Sequence, residues 1–240
     1  MTVDLWRTSV PPTPRQLARE RTEAEILRIA REHLCTTGPA NLSVRAIARE
    51  LGIVSSAIYR YVSCRDDLLT LLVIDGYTAL GDAVDQAISA VDTRDHLGRF
   101  TALGRTIRTW ALAEPARYAL LYGTPVPGYD APGERTTEPG TRVIVALARI
   151  TEQAWHDGHL RLESRDDEVA LPEDVDRIRS EFALTAPPAV LERTALVWAA
   201  LFGCVSFEVF GQYGPDTFSD PEALFEAHLL RLAGLLGLTR

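Results

Sequence analysis

Between residues 55 and 61 the chain reads Ser-Ser-Ala-Ile-Tyr-Arg-Tyr, which gathers two hydroxyls, a methyl, two phenols and a guanidinium on one short helical stretch. That set suits noncovalent contact with a polyanion whose edges carry donors, acceptors and methyl groups. Ser55, Ser56 and Ala57 are small enough to let a helix backbone approach base edges in a major groove. The serine hydroxyls can bond bases or phosphates, and the alanine can meet a thymine methyl. Arg60 can reach guanine or a backbone oxygen, while Tyr59 and Tyr61 have stiff side chains whose hydroxyls suit phosphates at the groove walls. Ser43 and Arg45, at the start of the preceding helix, extend the set, and Arg65 stands at the amino end of the following helix, whose dipole also favours a phosphate.

Such groups need a rigid mount, and the flanking sequence supplies one. From Arg15 the apolar positions Leu17, Ile26, Ala30 and Leu34, joined by Leu27 and Ile29, form a helical stripe that stops at Gly38 and Pro39. Ser43 is an N-cap for a short helix through Leu51, Gly52 makes a turn, and a third helix is expected from Ser55 to Val62, anchored by Ile58 and Val62. Two short helices around a glycine turn form a helix-turn-helix pattern. "SCRD", residues 63–66, reads as a capping box opening a long fourth helix through about Ala90.

Beyond that point no alternating strand pattern occurs. Helices are expected at about 93–112, 115–123, 139–158, 173–184, 188–212 and 221–236, with loops at 124–140 and 167–174. The fold class is therefore all-α. It divides into a flexible N-terminal arm (1–14), a three-helix DNA-binding headpiece (15–66) and a larger helical body (67–240). Charge follows the same division. Residues 1–65 hold ten arginines against six acidic side chains, while the remaining chain holds fifteen against twenty-seven, within a net charge of -8. A basic end suited to a polyanion is thus attached to an acidic remainder.

The stretch "SVRAIARELGI…SSAIYRYVSCRDDLL" resembles the TetR family of transcriptional regulators across the whole headpiece, in Ile47-Ala48, Gly52-Ile53, Ile58-Tyr59, Tyr61-Val62, Ser63, Arg65, Asp66 and Leu68-Leu69. Val54 departs from the pattern, standing where a serine is common, which moves the expected cap of the reading helix to Ser55. The resemblance implies a regulator, a repressor of a palindromic operator on double-stranded DNA, whose body binds a small-molecule effector and pairs with a second copy. The apolar helices at about 188–212 and 221–236, with Ala199, Ala200, Gly203 and Ser206 interleaved, are the expected homodimer interface, with Val205 on the pairing face. "RTIRTWALAEPARYALLYG" and "LVWAALFGCVSFE" resemble a subgroup marked by a Trp-His-Gly signature; Trp198 and Gly203 fit, but Phe202 occupies the histidine's place. A more apolar effector pocket is then expected, lined from among Trp110, Tyr118, Tyr122, Tyr129, Trp155, Trp198, Phe202 and Phe207.

Other chemistries find little support. Glu152, His156 and His159 have a spacing that could ligate a metal, yet nothing else joins them, so neither a metal nor any other cofactor is expected. No nucleophile elbow, phosphate loop or dinucleotide fingerprint occurs, and the chain is expected not to be an enzyme. The alternative is a helical enzyme or sensor body carrying an incidental headpiece. Cys35, Cys64 and Cys204 are far apart and odd in number, as for reduced thiols rather than a disulfide framework. With no signal-peptide pattern and no uninterrupted apolar run of membrane length, a cytoplasmic protein without a membrane partner is expected.

Overall fold

The computed structural model of the chain describes residues 13–161 and 170–238. Nearly all of the expected arm, and residues 167–169 of the second expected loop, lie outside them. Among the described residues there are ten α-helices and no strand, and the only β-type pairing is an antiparallel bridge between Leu160 and Leu238. The chain forms two compact units that divide between Leu72 and Val73, inside the fourth helix.

The first unit begins with α1 (Pro14–Thr37), capped by Thr13 and Gln16 in a reciprocal capping box with proline at the first helical position. Ile26, Ile29, Ala30 and Leu34 are its buried face. A single 3-10 turn at Pro39–Asn41 leads to α2 (Val44–Glu50), then α3 (Ser55–Ile58) and the start of α4 (Arg65–Ser89). α2 packs against both α1 and α3. At "SCRD" the expected capping box is replaced by a different contact. Ser63 donates both its backbone N–H and its hydroxyl to Asp67, at 3.0 and 3.2 Å, rather than to Asp66.

The second unit contains α5 (His96–Ala113), α6 (Pro115–Tyr122), α7 (Gly133–His156), α8 (Pro172–Glu181), α9 (Pro188–Val209) and α10 (Pro221–Leu236). α9 is the hub, packing on α5, α7, α8 and α10. Three expected boundaries move. α7 starts six residues before Pro139, because Pro132 supplies a carbonyl that accepts from the N–H of Arg135 and Thr136 and from the Thr136 hydroxyl. Pro139 is then carried inside the helix and buried, where its missing N–H would ordinarily end one. α8 ends at Glu181, three residues before the expected end at 184, and α9 stops at Val209 instead of 212.

Close approach shapes the core of this unit. A Cβ on Gly104 of α5 would stand 2.4 Å from a methyl of Leu229 on α10, so any larger residue there requires the Leu229 side chain to shift. Arg117 of α6 reaches Asp75 of α4, donating to its carboxylate at 2.7 Å and its carbonyl at 3.0 Å, with both side chains largely buried. Val205 is fully buried and belongs to this core, not to an outward face, and Ser206 is turned inward to the Tyr118 hydroxyl at 2.8 Å. α9 is long and apolar enough, by length and composition, to cross a membrane, although Glu192, Arg193 and Glu208 interrupt its run. Its apolar residues are shared between the buried core and an outward stripe.

Removing one partner of a buried ion pair strands the other charge, which typically costs about 3–5 kcal/mol. Arg117→Met is therefore expected to lower unfolding free energy by roughly 3 kcal/mol in urea denaturation, and Asp75→Asn in the same background to restore part of it.

Candidate nucleic-acid interface

The turn between α2 and α3 is fixed by backbone bonds. Gly52, at φ +73°, donates to Arg49 O at 3.2 Å, and Ile53 donates to Ala48 O at 3.0 Å, the paired bonds of a Schellman motif. The left-handed backbone explains why glycine stands there. α3 then makes one turn only. After Ile58 the N–H groups of Arg60 and Tyr61 bond three residues back, to Ala57 O and Ile58 O. The expected helix to Val62 is thus a single α-turn followed by a tighter one, because burying both Ile58 and Val62 pulls the chain inward at that point.

The consequence is a compact exposed surface. Arg45, Ser55, Ser56, Tyr59 and Arg60 are exposed and Ala57 is half-exposed. None of these five exposed side chains has a hydrogen-bond or ion-pair partner among the described residues. Three other predicted residues are committed within the unit. Ser43 caps α2, accepting from the Ala46 N–H at 3.3 Å. Tyr61 lies under the Arg19 guanidinium, 5.8 Å from the ring centroid, and Arg19 in turn pairs with Glu23 at 2.7 Å. Arg65 donates to Pro39 O at 2.9 Å and sits 3.4 Å from Asp66, so it ties α4 to the turn after α1. Its charge still adds to the local field, but its geometry is set from within.

Two residues missed by the sequence reading join the exposed face. Arg49 lies one turn after Arg45 on α2 and is exposed; the i, i+4 spacing was the available signal. Val54 is 72% exposed. It, and not Ser55, is the N-cap of α3, and it provides no side-chain hydrogen bond. An isopropyl group so placed is of a type that suits apolar contact with a thymine methyl, where a serine would have closed on its own helix.

In the second unit the aromatic residues expected to line a pocket mostly pack against one another. Tyr122 and Trp198 stand 4.5 and 4.2 Å from Phe202, and Tyr118 is 5.2 Å from Tyr122. Burial pushes the Tyr118 phenol up, offset in part by its bond to Ser206, and pushes Tyr122 well above the ordinary tyrosine range. The Tyr122 hydroxyl is buried without a hydrogen-bond partner. Trp110 is covered by Arg117 at 5.4 Å, Trp155 packs on the core, and Tyr129 lies on the loop, close enough to Tyr77 to influence it. A cavity of about 310 Å³ lies elsewhere, between α7, α8 and α9, and none of the eight expected aromatics lines it. Phe207 lines a different cleft, of about 340 Å³, with Tyr213 and Phe218.

The residues weighed as metal ligands have other partners. Glu152 accepts from the Thr185 N–H at 2.5 Å and its hydroxyl at 3.0 Å, and His156 meets the same hydroxyl at 2.8 Å. Burial pushes the Glu152 carboxyl up, but the bonds from Thr185 and Ala186 outweigh it and hold the group below the usual range. His159 stacks edgewise on His96 at 5.6 Å.

Residues 100–232 match the family described as Tetracyclin repressor-like, C-terminal domain. HTH-type transcriptional regulators Rv1816 of Mycobacterium tuberculosis and Mb1846 of Mycobacterium bovis are each 44% identical over 225 residues, covering 92% of this chain and 95% of theirs. Among solved structures, the regulatory protein SCO4313 superposes with a TM-score of 0.75 at 33% identity, over 92% of this chain and 100% of that one. The fatty acid degradation regulator FadR from Bacillus halodurans, at 14% identity and a TM-score of 0.61 over 90% of this chain and 99% of its own, shares the fold.

Val54→Ser supplies the missing cap of α3 and is expected to raise unfolding free energy by roughly 0.5–1 kcal/mol, read by thermal or denaturant unfolding.

Proposed function

Since the chain belongs to the TetR family of HTH-type transcriptional regulators, we propose that it is a homodimeric repressor that a small molecule releases from a palindromic operator. DNA-binding transcriptional regulation follows from the family. The observation that carries the finer reading is the cluster of Arg45, Arg49, Val54, Ser55, Ser56, Tyr59 and Arg60, presented around one fixed turn with polar groups left open. Serines and Val54 suit base edges, and the arginines and Tyr59 suit guanine and phosphate. A repressor of this kind works in the cytoplasm, where its operator is, and needs neither a cofactor nor an enzymatic step.

A dimer is supported by the outward side of α9 and α10. Leu196 is 59% exposed, Phe207 47% and Leu230 52%, and Ala199, Gly203, Ala227 and Gly234 lie between them. Beside Gly203 and Gly234 a Cβ would meet nothing within 4 Å, so each leaves room for another backbone to come close. Two such faces related by a twofold axis form a four-helix isologous interface and carry two reading turns toward two half-sites. Release is a population shift: an effector that binds more tightly to the conformer unable to span both half-sites lowers operator affinity by that difference.

Fluorescence anisotropy on the chain's own upstream intergenic duplex tests the reading. Preference over random duplex is expected, and equal affinity for both would overturn it. Arg60→Ala and Tyr59→Ala should each weaken operator binding by roughly tenfold, with Arg60→Ala also reducing the salt slope by about one. Ala199→Glu places charge on the α9 face and is expected to give a 26.5 kDa particle in light scattering, where the parent gives twice that mass. A persistent dimer would move the interface elsewhere.

A further inference from the structure

The apolar cavity between α7, α8 and α9 is built around a helix that has too little to cover. On α8 and its flanks, Leu171, Val175, Ile178 and Phe182 recur at helical spacing and form one apolar stripe. None of the four is buried: Leu171 is 62% exposed and Ile178 41%. Beneath the stripe lies a small separate core of Ala148, Leu184 and Leu191, and the space left between is about 310 Å³. That volume is at the small end of the range for small-molecule sites.

The lining also says what the occupant is. Its only polar side chains among the described residues are Thr194 and Glu192. Thr194 and Thr151 stand 3.0 Å apart, and their two hydroxyl protons are divided between that contact and the carbonyls of Val190 at 2.7 Å and Ala148 at 2.9 Å. Those hydroxyls satisfy one another and their helices, so they present nothing specific to a ligand. Among the described residues Glu192 is the single ionisable group of the lining, held by the Ala170 N–H at 3.4 Å. A second carboxylate brought beside it in a half-buried apolar site is repelled, whereas an ammonium is attracted.

We infer that this cavity binds a small apolar molecule with a neutral or cationic head, and that it rejects anionic amphiphiles of the same length. The inference rests on the reading of the body as an effector-binding unit, and gives that unit a site and a ligand class. The site is mostly aliphatic, with Phe182 its one aromatic among the described residues, and none of the aromatics around Tyr122 lines it.

Isothermal titration of the full-length chain with 1-decanol, decyltrimethylammonium and decanoate, each below its aggregation concentration, tests it. The alcohol and the ammonium are expected to bind once per chain, and decanoate roughly tenfold or more weaker. Glu192→Gln should bring decanoate to within about threefold of decanol, which a merely structural role for Glu192 would not do. Val145→Trp, which fills the cavity from its half-exposed side, should abolish binding of all three while circular dichroism remains unchanged. Ile178→Asp on exposed α8 provides a second disruption should the tryptophan variant misfold. Decanoate binding as tightly as decanol, or binding by both variants as tight as the parent's, would overturn the inference. Operator binding with no binding of any probe would overturn it and leave the regulator reading standing. Probe binding without operator preference would support the site and sink the regulator reading instead.

Discussion

The burial of Ile58 and Val62 is the constraint on which the exposed polar surface around the α2–α3 turn depends. Both are almost completely removed from solvent, four residues apart on a segment that makes one α-turn and then tightens. With these two apolar anchors fixed, Ser55, Ser56, Tyr59 and Arg60 have only the outward directions left to them. The Schellman bonds around Gly52 set the angle at which the segment leaves α2, and His33 on α1 meets Glu50 of α2 at 2.8 Å, holding the opposite side. Polar display here is a by-product of apolar burial, which is the cheapest way to hold unpartnered groups in place.

The second unit manages charge differently. Its acidic residues are seldom idle: Asp75 takes Arg117, Glu208 takes Arg108 at 2.6 and 2.8 Å, Glu226 takes Arg105, and Asp82 and Asp85 share Arg142. Arginine's planar fork suits these two-point contacts, and the chain's only basic side chain besides histidine is arginine. Glu226 is held below the usual carboxylate range by its bond to Arg105, although the pair is well exposed and its contribution is small. Among the described residues the headpiece arginines Arg45, Arg49 and Arg60 have no such acid, and this contrast is what makes the same residue type structural in one unit and available in the other.

Much of this was legible in the sequence, for reasons that differ by element. The all-α class, Gly52, the cap at Ser43 and the anchors Ile58 and Val62 could be read because periodicity and cap chemistry are local. α7 could not, because Pro139 carries a strong local stop signal that burial of Thr136 and Pro139 overrides. Tyr61 and Arg65 were readable as residue types suited to phosphate, but their partners, Arg19 and Pro39, come from α1 and the turn after it, at sequence distances where spacing says nothing. The aromatics of the body illustrate the same limit. Composition identified them as a group, and only packing shows that Tyr122, Phe202 and Trp198 fill space while aliphatic side chains near α8 leave it open.

α10 is a two-sided part. Its inner side carries Leu229, seated where Gly104 has no side chain, and its outer side carries Leu230 and Gly234. The leucine methyl occupies the space a side chain at residue 104 would need. The two helices are therefore fitted to one another through this one pair of residues, on the side of α10 opposite its exposed face. Enlarging residue 104 would be felt first by Leu229, whose side chain must swing aside before the added atom fits.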